Sequence, residues 1–375
     1  MVRGRAKENM KKIRVVVGED SPFMRRMIED SLNSDPMIEV VATAPNGRDV
    51  LKRLVEMEPD VITLDLEMPR MDGLETLRYI MSEWPTPVII LSGHSAEGAR
   101  MALTCLEYGA VDFVAKSPNG SRFPVEELIS KVKLASGVEA DKVRFAPTEY
   151  DLKTKISSKS LNRRGSADSI VLIGASTGGP QAVMEVIPRL PADLEAGVLL
   201  LQHMPPNFTR YMAERLDARS SMSVREAEEG DELIPGHVLV APGGMHLFLD
   251  ESHGKRKVML LPRNQLRRSA CPSIDFAMTS FAPEFKRNLL AVILTGMGRD
   301  GAAGAVAVRK YGGRVVCQDR ETSMIFGMPG AVIGEGMAEQ ALPASEIAEC
   351  IENIVSEFSK PGHEYKDRVR VHGND

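Results

Sequence analysis

The chain has 375 residues, 43% of them apolar, and a formal net charge of −5. That length is long for one hydrophobic core and comfortable for two, and the acidic balance disfavours nucleic acid as a partner. No apolar run approaches the roughly 20 residues that cross a bilayer, and the basic stretch from Arg3 to Lys12 lacks the apolar segment of a signal peptide, so a cytoplasmic protein without direct membrane insertion is expected.

Along residues 13–135, short β-branched runs at 13–17, 39–42, 61–64, 88–91 and 111–114 alternate with helix-length segments. Phe23, Met27, Ile28 and Leu32 recur near the 3.6-residue period, as do Leu51, Leu54 and Val55. Strict alternation predicts a doubly wound parallel sheet with right-handed crossovers and helices on both faces. In such sheets ligands collect beyond the carboxyl ends of the strands. Glu19 and Asp20 follow the first predicted strand, Asp65 the third, Ser92 the fourth and Lys116 the fifth. Three carboxylates, a hydroxyl and an ammonium on one edge fit aspartyl phosphorylation. Glu19, Asp20 and Asp65 offer Mg²⁺ hard oxygen ligands. Asp65, ending the most buried strand, is the expected phosphate acceptor, and Lys116 pairs with the phosphoryl group as a point charge. Ser92 follows a phosphoryl oxygen, and Phe113 changes rotamer as Ser92 moves. Taken singly, Asp and Ser at strand ends are also turn formers and helix caps.

The motifs that carry this chemistry are Glu19-Asp20-Ser21, the run from Asp65 through Met68-Pro69 to Asp72-Gly73, Ser92-Gly93 and Lys116. With them the segment resembles the receiver domain of two-component response regulators. That family often has two aspartates in the acidic pair; here the first is Glu19.

From 136 to 168 the periodicity fails and Lys, Ser, Thr and Arg dominate, which predicts a flexible linker. An apolar run at 170–173 opens a second α/β region, with further predicted strands at 198–201, 290–294 and 314–317. Short alternating runs between Gly236 and Leu261, with Pro-Gly-Gly turns, predict antiparallel strands on one edge. Residues 344–358 read as a final helix, followed by a polar tail. The four cysteines are far apart and form no C-x-x-C pair, which argues against a zinc site or a disulfide framework.

The first strand of this region runs into Gly174-Ala175-Ser176-Thr177-Gly178-Gly179-Pro180. A G-x-S-x-G turn would expose the Ser176 hydroxyl above the sheet edge, and Pro is favoured in the first turn of the helix that follows. The helix N-terminus would favour a developing oxyanion. The competing reading is a Gly-rich phosphate cradle of Rossmann type, which usually carries an acid at the end of its second strand. Here that strand ends in Gln202-His203-Met204-Pro205. His203 is therefore the expected base for Ser176. Asp300, beyond the strand at 290–294, is the expected orienting carboxylate; its alternative role is a cap for the helix starting near Ala302. The backbone N–H groups of Thr177 and Met297 are oxyanion-hole candidates. The order Ser…His…Asp differs from the Ser…Asp…His of α/β-hydrolases.

Together with Ala241-Pro242-Gly243 and Cys271-Pro272-Ser273-Ile274-Asp275, these motifs resemble the catalytic domain of the chemotaxis protein-glutamate methylesterases. The resemblance implies a receiver domain at 12–136, a linker at 137–168, a catalytic domain at 169–358 and a flexible tail at 359–375. The implied fold is two doubly wound parallel-sheet α/β domains, flavodoxin-like and then Rossmann-like, the second a serine hydrolase with a small antiparallel edge region. The implied activity is hydrolysis of glutamate γ-methyl esters on cytoplasmic domains of methyl-accepting chemoreceptors in chemotaxis adaptation, with deamidation of receptor glutamines. A chemotaxis histidine kinase would donate the phosphate. Mg²⁺ would serve phosphorylation, and hydrolysis would need no cofactor. The unphosphorylated receiver is expected to block the Ser176 cleft. The alternative function is a response regulator with a nucleotide- or DNA-binding output domain.

Overall fold

The computed structural model describes residues 11–93, 95–116, 123–139, 142–143, 165–250, 256–266 and 270–358. Most of the expected linker and all of the expected tail lie outside the described residues. The chain divides into two compact units, with the division after Pro147.

The first unit alternates β1 (Ile13–Gly18), α1 (Pro22–Asn33), β2 (Ile38–Ala44), α2 (Gly47–Met57), β3 (Val61–Asp65), α3 (Gly73–Glu83), β4 (Val88–Ser92), α4 (Ala96–Glu107), β5 (Asp112–Ala115) and α5 (Val125–Ala135). The strands form one parallel sheet in the order β2-β1-β3-β4-β5. Every residue of β3, β4 and β5 is buried, as expected of strands covered by helices on both faces. Polar side chains start the helices: Ser21, Asn46, Asp72 and Ser95 accept the N–H groups of Met24, Asp49, Glu75 and Gly98. The chain turns back between β1 and β3, which is the switch point where a doubly wound sheet opens a crevice. Glu19 and Asp65 stand on either side of it.

The second unit contains β6 (Ile170–Ala175), α6 (Gly179–Val186), β7 (Gly197–Gln202), α7 (Phe208–Arg219), β8 (Ser223–Glu226), β9 (His237–Val240), β10 (Met245–Asp250), β11 (Lys257–Pro262), α8 (Ile274–Phe285), β12 (Leu289–Ile293), α9 (Ala302–Lys310), β13 (Arg314–Gln318), α10 (Met328–Gly334), β14 (Gln340–Leu342) and α11 (Ala344–Phe358). Seven strands form a parallel sheet in the order β14-β13-β12-β6-β7-β9-β8. Its switch point lies at β6, between β12 and β7. The core under it combines Ile170, Leu172, Leu199 and Leu201 with Ile274, Met278 and Phe281 of α8.

The region expected to add antiparallel strands to the sheet edge divides in two. β10 and β11 are antiparallel but form a separate two-stranded sheet, while β9 joins the main sheet parallel to β7 and β8. Residues 227–236 supply the crossover that a parallel pair needs, so the main-sheet edge stays parallel, and β10 packs on α8 instead. Among the described residues, no helix is long and apolar enough to cross a membrane.

Candidate active site

Strand register brings the serine and the histidine to one edge. Ala175 pairs with Gln202 across β6 and β7, so the next residue on each strand is Ser176 and His203. The His203 N–H donates to the Ala175 carbonyl at 3.0 Å. On the other side, the Ser176 N–H donates to the Thr295 carbonyl at 3.0 Å, just beyond β12. From there the chain loops to Asp300, whose Oδ2 lies 2.8 Å from His203 Nε2. Among the described residues no hydrogen bond occupies the Ser176 hydroxyl. Asp300 engages Nε2, so Nδ1 is the ring nitrogen left to serve a proton acceptor's role.

Asp300 does not cap its own helix. Gly301 is the N-cap of α9, and the Asp300 carboxylate accepts instead from the Ile274 N–H (2.9 Å), the Asp275 N–H (2.8 Å) and the Ser273 hydroxyl (3.3 Å) at the start of α8. The exchange is mutual: Asp275 Oδ1 accepts the N–H groups of Gly301 (2.9 Å) and Gly304 (2.7 Å) at the start of α9. Burial alone would raise the Asp300 pKa. The hydrogen bond and charge of His203, with the Asp275 and Ile274 N–H groups, outweigh it and hold Asp300 below the ordinary carboxylate range. Asp275 is shifted the other way, chiefly by burial and secondarily by the charge of Asp300, against the pull of the Gly304 and Gly301 N–H groups.

Sequence reasoning missed two buried glutamines. Gln202 Nε2 donates to the carbonyls of Ser176 (2.9 Å) and His203 (3.2 Å), tying the ends of β6 and β7 together. Gln318 Oε1 accepts the Thr295 N–H at 2.8 Å, while the Thr295 hydroxyl donates to the Thr177 carbonyl at 3.0 Å. A polar side chain directly after an apolar run (197–201 and 315–317) was the available signal. Thr177 is buried and Met297 is 41% exposed at the surface of this edge. Arg210, on α7, is exposed and pairs with Glu214 at 3.4 Å.

The first unit gathers the second set of predicted residues. Lys116 Nζ lies 2.9 Å from Glu19 Oε2 and 2.8 Å from Asp65 Oδ2. Glu19, Asp20 and Asp65 each place a carboxylate oxygen within 4.8 Å of the others. Arg25 steadies the acidic turn by donating to the carbonyls of Glu19 (2.7 Å) and Asp20 (3.1 Å). Glu19 is pushed up to about 7, first by burial and then by the Asp65 charge, against the pull of Lys116. Burial would lower Lys116, but Asp65 and Glu19 together raise it. The Ser92 hydroxyl donates to the Gly98 carbonyl at 2.8 Å. Phe113 is buried, and Lys131 Nζ sits 5.3 Å from its ring centre and 2.5 Å from its carbonyl oxygen.

Comparison with known proteins gives two family matches: the response regulator receiver domain over residues 15–132 and the CheB methylesterase over residues 171–351. A protein-glutamate methylesterase/protein-glutamine glutaminase from Symbiobacterium thermophilum is 45% identical, the alignment covering 92% of this chain and 98% of that protein. One of the same designation from Thermotoga maritima is 41% identical, with the same coverage of both chains. The crystal structure of the Thermotoga maritima CheB methylesterase catalytic domain matches 50% of this chain and 98% of its own, at 45% identity and a TM-score of 0.48. With a receiver at one end, a Ser, His and Asp gathered at one edge of the other unit, and relatives similar over nearly their whole length, the chain belongs to the protein-glutamate methylesterase/protein-glutamine glutaminase family.

Proposed function

We propose that this protein is a phosphorylation-activated serine hydrolase that removes γ-methyl esters from glutamates of chemoreceptor cytoplasmic domains, releasing methanol, and deamidates receptor glutamines. The observation that carries the reading is the 2.8 Å contact of His203 with Asp300 at the edge where Ser176 ends the neighbouring strand. Ser176 Oγ attacks the γ-carbonyl carbon as His203 Nδ1 takes its proton. The imidazolium, stabilised by ionised Asp300, returns that proton to the departing methoxide, and the C–O bond breaks to leave a glutamyl-serine ester and methanol. Water deprotonated by His203 then attacks the acyl carbon, freeing Ser176 and the γ-carboxylate. The Thr177 and Met297 N–H groups are the proposed donors to the tetrahedral oxyanion. Thr177 directly follows the nucleophile, and Met297 follows a glycine packed against it. The same sequence with an amide substrate releases ammonia. A nucleotide- or DNA-binding output has no support from the relatives.

Asp65 is the proposed phosphate acceptor. The acid trio suits a hard divalent cation, because its oxygens converge and burial with mutual repulsion leaves Glu19 hard to ionise. Glu19, Asp20 and Asp65 would hold Mg²⁺, which when bound offsets the charge of an incoming phosphoryl group. Lys116 would pair with the phosphoryl oxygens, a role its 2.8 Å contact with Asp65 supports. Ser92, now bonded to Gly98, would turn toward them and leave room beside Phe113. A chemotaxis histidine kinase is the proposed donor, and the cytoplasm the proposed location. The domain limits proposed are 12–136 for the receiver, 137–168 for the linker and 169–358 for the hydrolase.

The test is methanol release from methylated receptor membranes by wild type, Ser176→Ala and Asp65→Asn, with and without a phosphodonor. Wild type should be stimulated, Asp65→Asn should stay at the basal rate, and Ser176→Ala should release none. Wild-type rates from Ser176→Ala would end the hydrolase reading.

A further inference from the structure

His246 lies outside the triad, fully buried in β10, and the hydrolytic mechanism has no step for it. Its two ring nitrogens have opposite partners. Nδ1 accepts the Ser273 N–H at 3.2 Å, and Nε2 lies 3.1 Å from the Leu266 carbonyl. A carbonyl can only accept and an amide N–H can only donate, so one neutral tautomer, protonated on Nε2, satisfies both. The ring also meets Phe276 edge-on, with centroids 6.0 Å apart and planes at 77°. Both Ser273 and Phe276 belong to the start of α8: Ser273 is its N-cap, and its hydroxyl accepts the Phe276 N–H.

That same helix start holds the triad carboxylate through the Ile274 and Asp275 N–H groups. The chain of contacts thus runs from His246 through Ser273 to Asp300 and on to His203. Moving the N-cap by a fraction of an ångström would move two of the donors that orient Asp300, and small misplacements of catalytic groups are costly in rate. β10, the strand that carries His246, packs against α8.

We propose that His246 is a positioning residue for hydrolysis: its Nδ1 anchors the Ser273 backbone and so sets the α8 N-terminus that orients Asp300 against His203. This rests on the triad reading above. Three substitutions in the full-length protein separate the two ring nitrogens. His246→Asn keeps an acceptor near the Nδ1 position, His246→Gln keeps a donor near the Nε2 position, and His246→Phe keeps the ring packing but neither. Phosphodonor-stimulated methanol release should fall ~10- to 100-fold in kcat for the Phe and Gln variants, with KM within about twofold of wild type. His246→Asn should recover kcat to within about threefold of wild type. The downfield proton resonance of the His203–Asp300 hydrogen bond should persist in His246→Asn and broaden or shift upfield in the other two.

Should His246→Phe fail to fold, the Asn and Gln pair still decides, since both retain a polar group in the cavity. The proposal is overturned if Asn is no better than Gln, if the loss appears only in KM, or if all variants match wild type. Ser176→Ala, run in parallel, keeps the two ideas apart. An inactive Ser176→Ala with unaffected His246 variants removes only this proposal, whereas a fully active Ser176→Ala removes the triad itself.

Discussion

Gly296 packs its bare Cα against Ser176: a Cβ there would stand 2.7 Å from the Ser176 Cβ and 3.1 Å from its backbone nitrogen. Ser176 cannot retreat freely, because its N–H is bonded to the Thr295 carbonyl on the same loop. The third close atom, Met328 Sδ at 2.4 Å, ends a flexible side chain. Gly296→Ala should therefore displace Ser176, the proposed nucleophile, rather than only repack the surroundings. The expected result is a kcat about 100-fold lower with a stability loss of about 1–3 kcal/mol, measured by methanol release and urea unfolding.

Asp300→Asn should show a related but distinct pattern. The amide has one acceptor oxygen for four donors, so its NH₂ must face either His203 or the α8 N–H groups. We expect kcat to fall about 10⁴-fold, the size of loss seen when a triad carboxylate becomes an amide. The stability penalty follows from the depressed pKa of Asp300. A group held below its unfolded value contributes stability that is present above the ordinary carboxylate range and lost as pH falls through the lower, folded value. The gap between wild type and Asp300→Asn in chemical denaturation should be widest near neutrality and narrow below about pH 4. A gap independent of pH from 3 to 8 would contradict the assigned contacts.

Glu19 works in the opposite sense. Its pKa is raised from 4.5 to about 7, so the folded state binds that proton more tightly than the unfolded chain does. Metal-free protein should lose stability as pH climbs from about 5 to 7 and level off above. Glu19→Gln should flatten that slope, and added Mg²⁺ should restore wild-type stability at pH 8, where the carboxylate is ionised and the ion meets no competing proton. Thermal unfolding with and without Mg²⁺, at pH 5 and pH 8, tests both parts.

At Gly73 there is the same close approach as at Gly296, here against the backbone of Asp65, the proposed phosphate acceptor. A Cβ there would lie 2.3 Å from the Asp65 carbonyl oxygen and 2.8 Å from the Leu66 Cα, both backbone atoms that cannot step aside. Gly73→Ala should reduce phosphate incorporation at Asp65 by at least ~10-fold and destabilise the first unit by about 1–3 kcal/mol. Radiolabelled phosphoryl transfer from a small-molecule donor measures the first, and denaturant unfolding the second.

Regulation gives a prediction of opposite sign. On the proposal that phosphorylation of the receiver activates the hydrolase, a protein lacking residues 1–168 should release methanol faster than the intact unphosphorylated protein and no longer respond to phosphodonor. Releasing a mostly closed two-state equilibrium corresponds to roughly 3–5 kcal/mol, so a rise of at least 10-fold is expected. A folded fragment with unchanged or lower activity would count against that proposal.

The amino-acid sequence by itself determined where each chemically capable side chain falls relative to the strands. Apolar runs of five or six residues mark buried parallel strands, and the polar residue that ends each run marks the edge where ligands gather. Glu19, Asp65, Ser92, Ser176 and His203 were legible on that basis, because each lies within one residue or so of a strand end. What the tertiary structure alone decided was partnership. Nothing local distinguishes Asp300 accepting N–H groups at the start of α9 from Asp300 accepting those at the start of α8, and the choice depends on Asp275, 25 residues away, accepting the α9 groups. His246 was likewise silent: its hydrogen bonds go to backbone atoms of the segment before α8, which no side-chain pattern records. The same holds for the direction of β9, whose short alternating run suits either a parallel or an antiparallel neighbour until the crossover before it is placed. Periodicity is a property of a segment, but hydrogen-bond pairing across a fold is settled only when distant segments compete for the same donors.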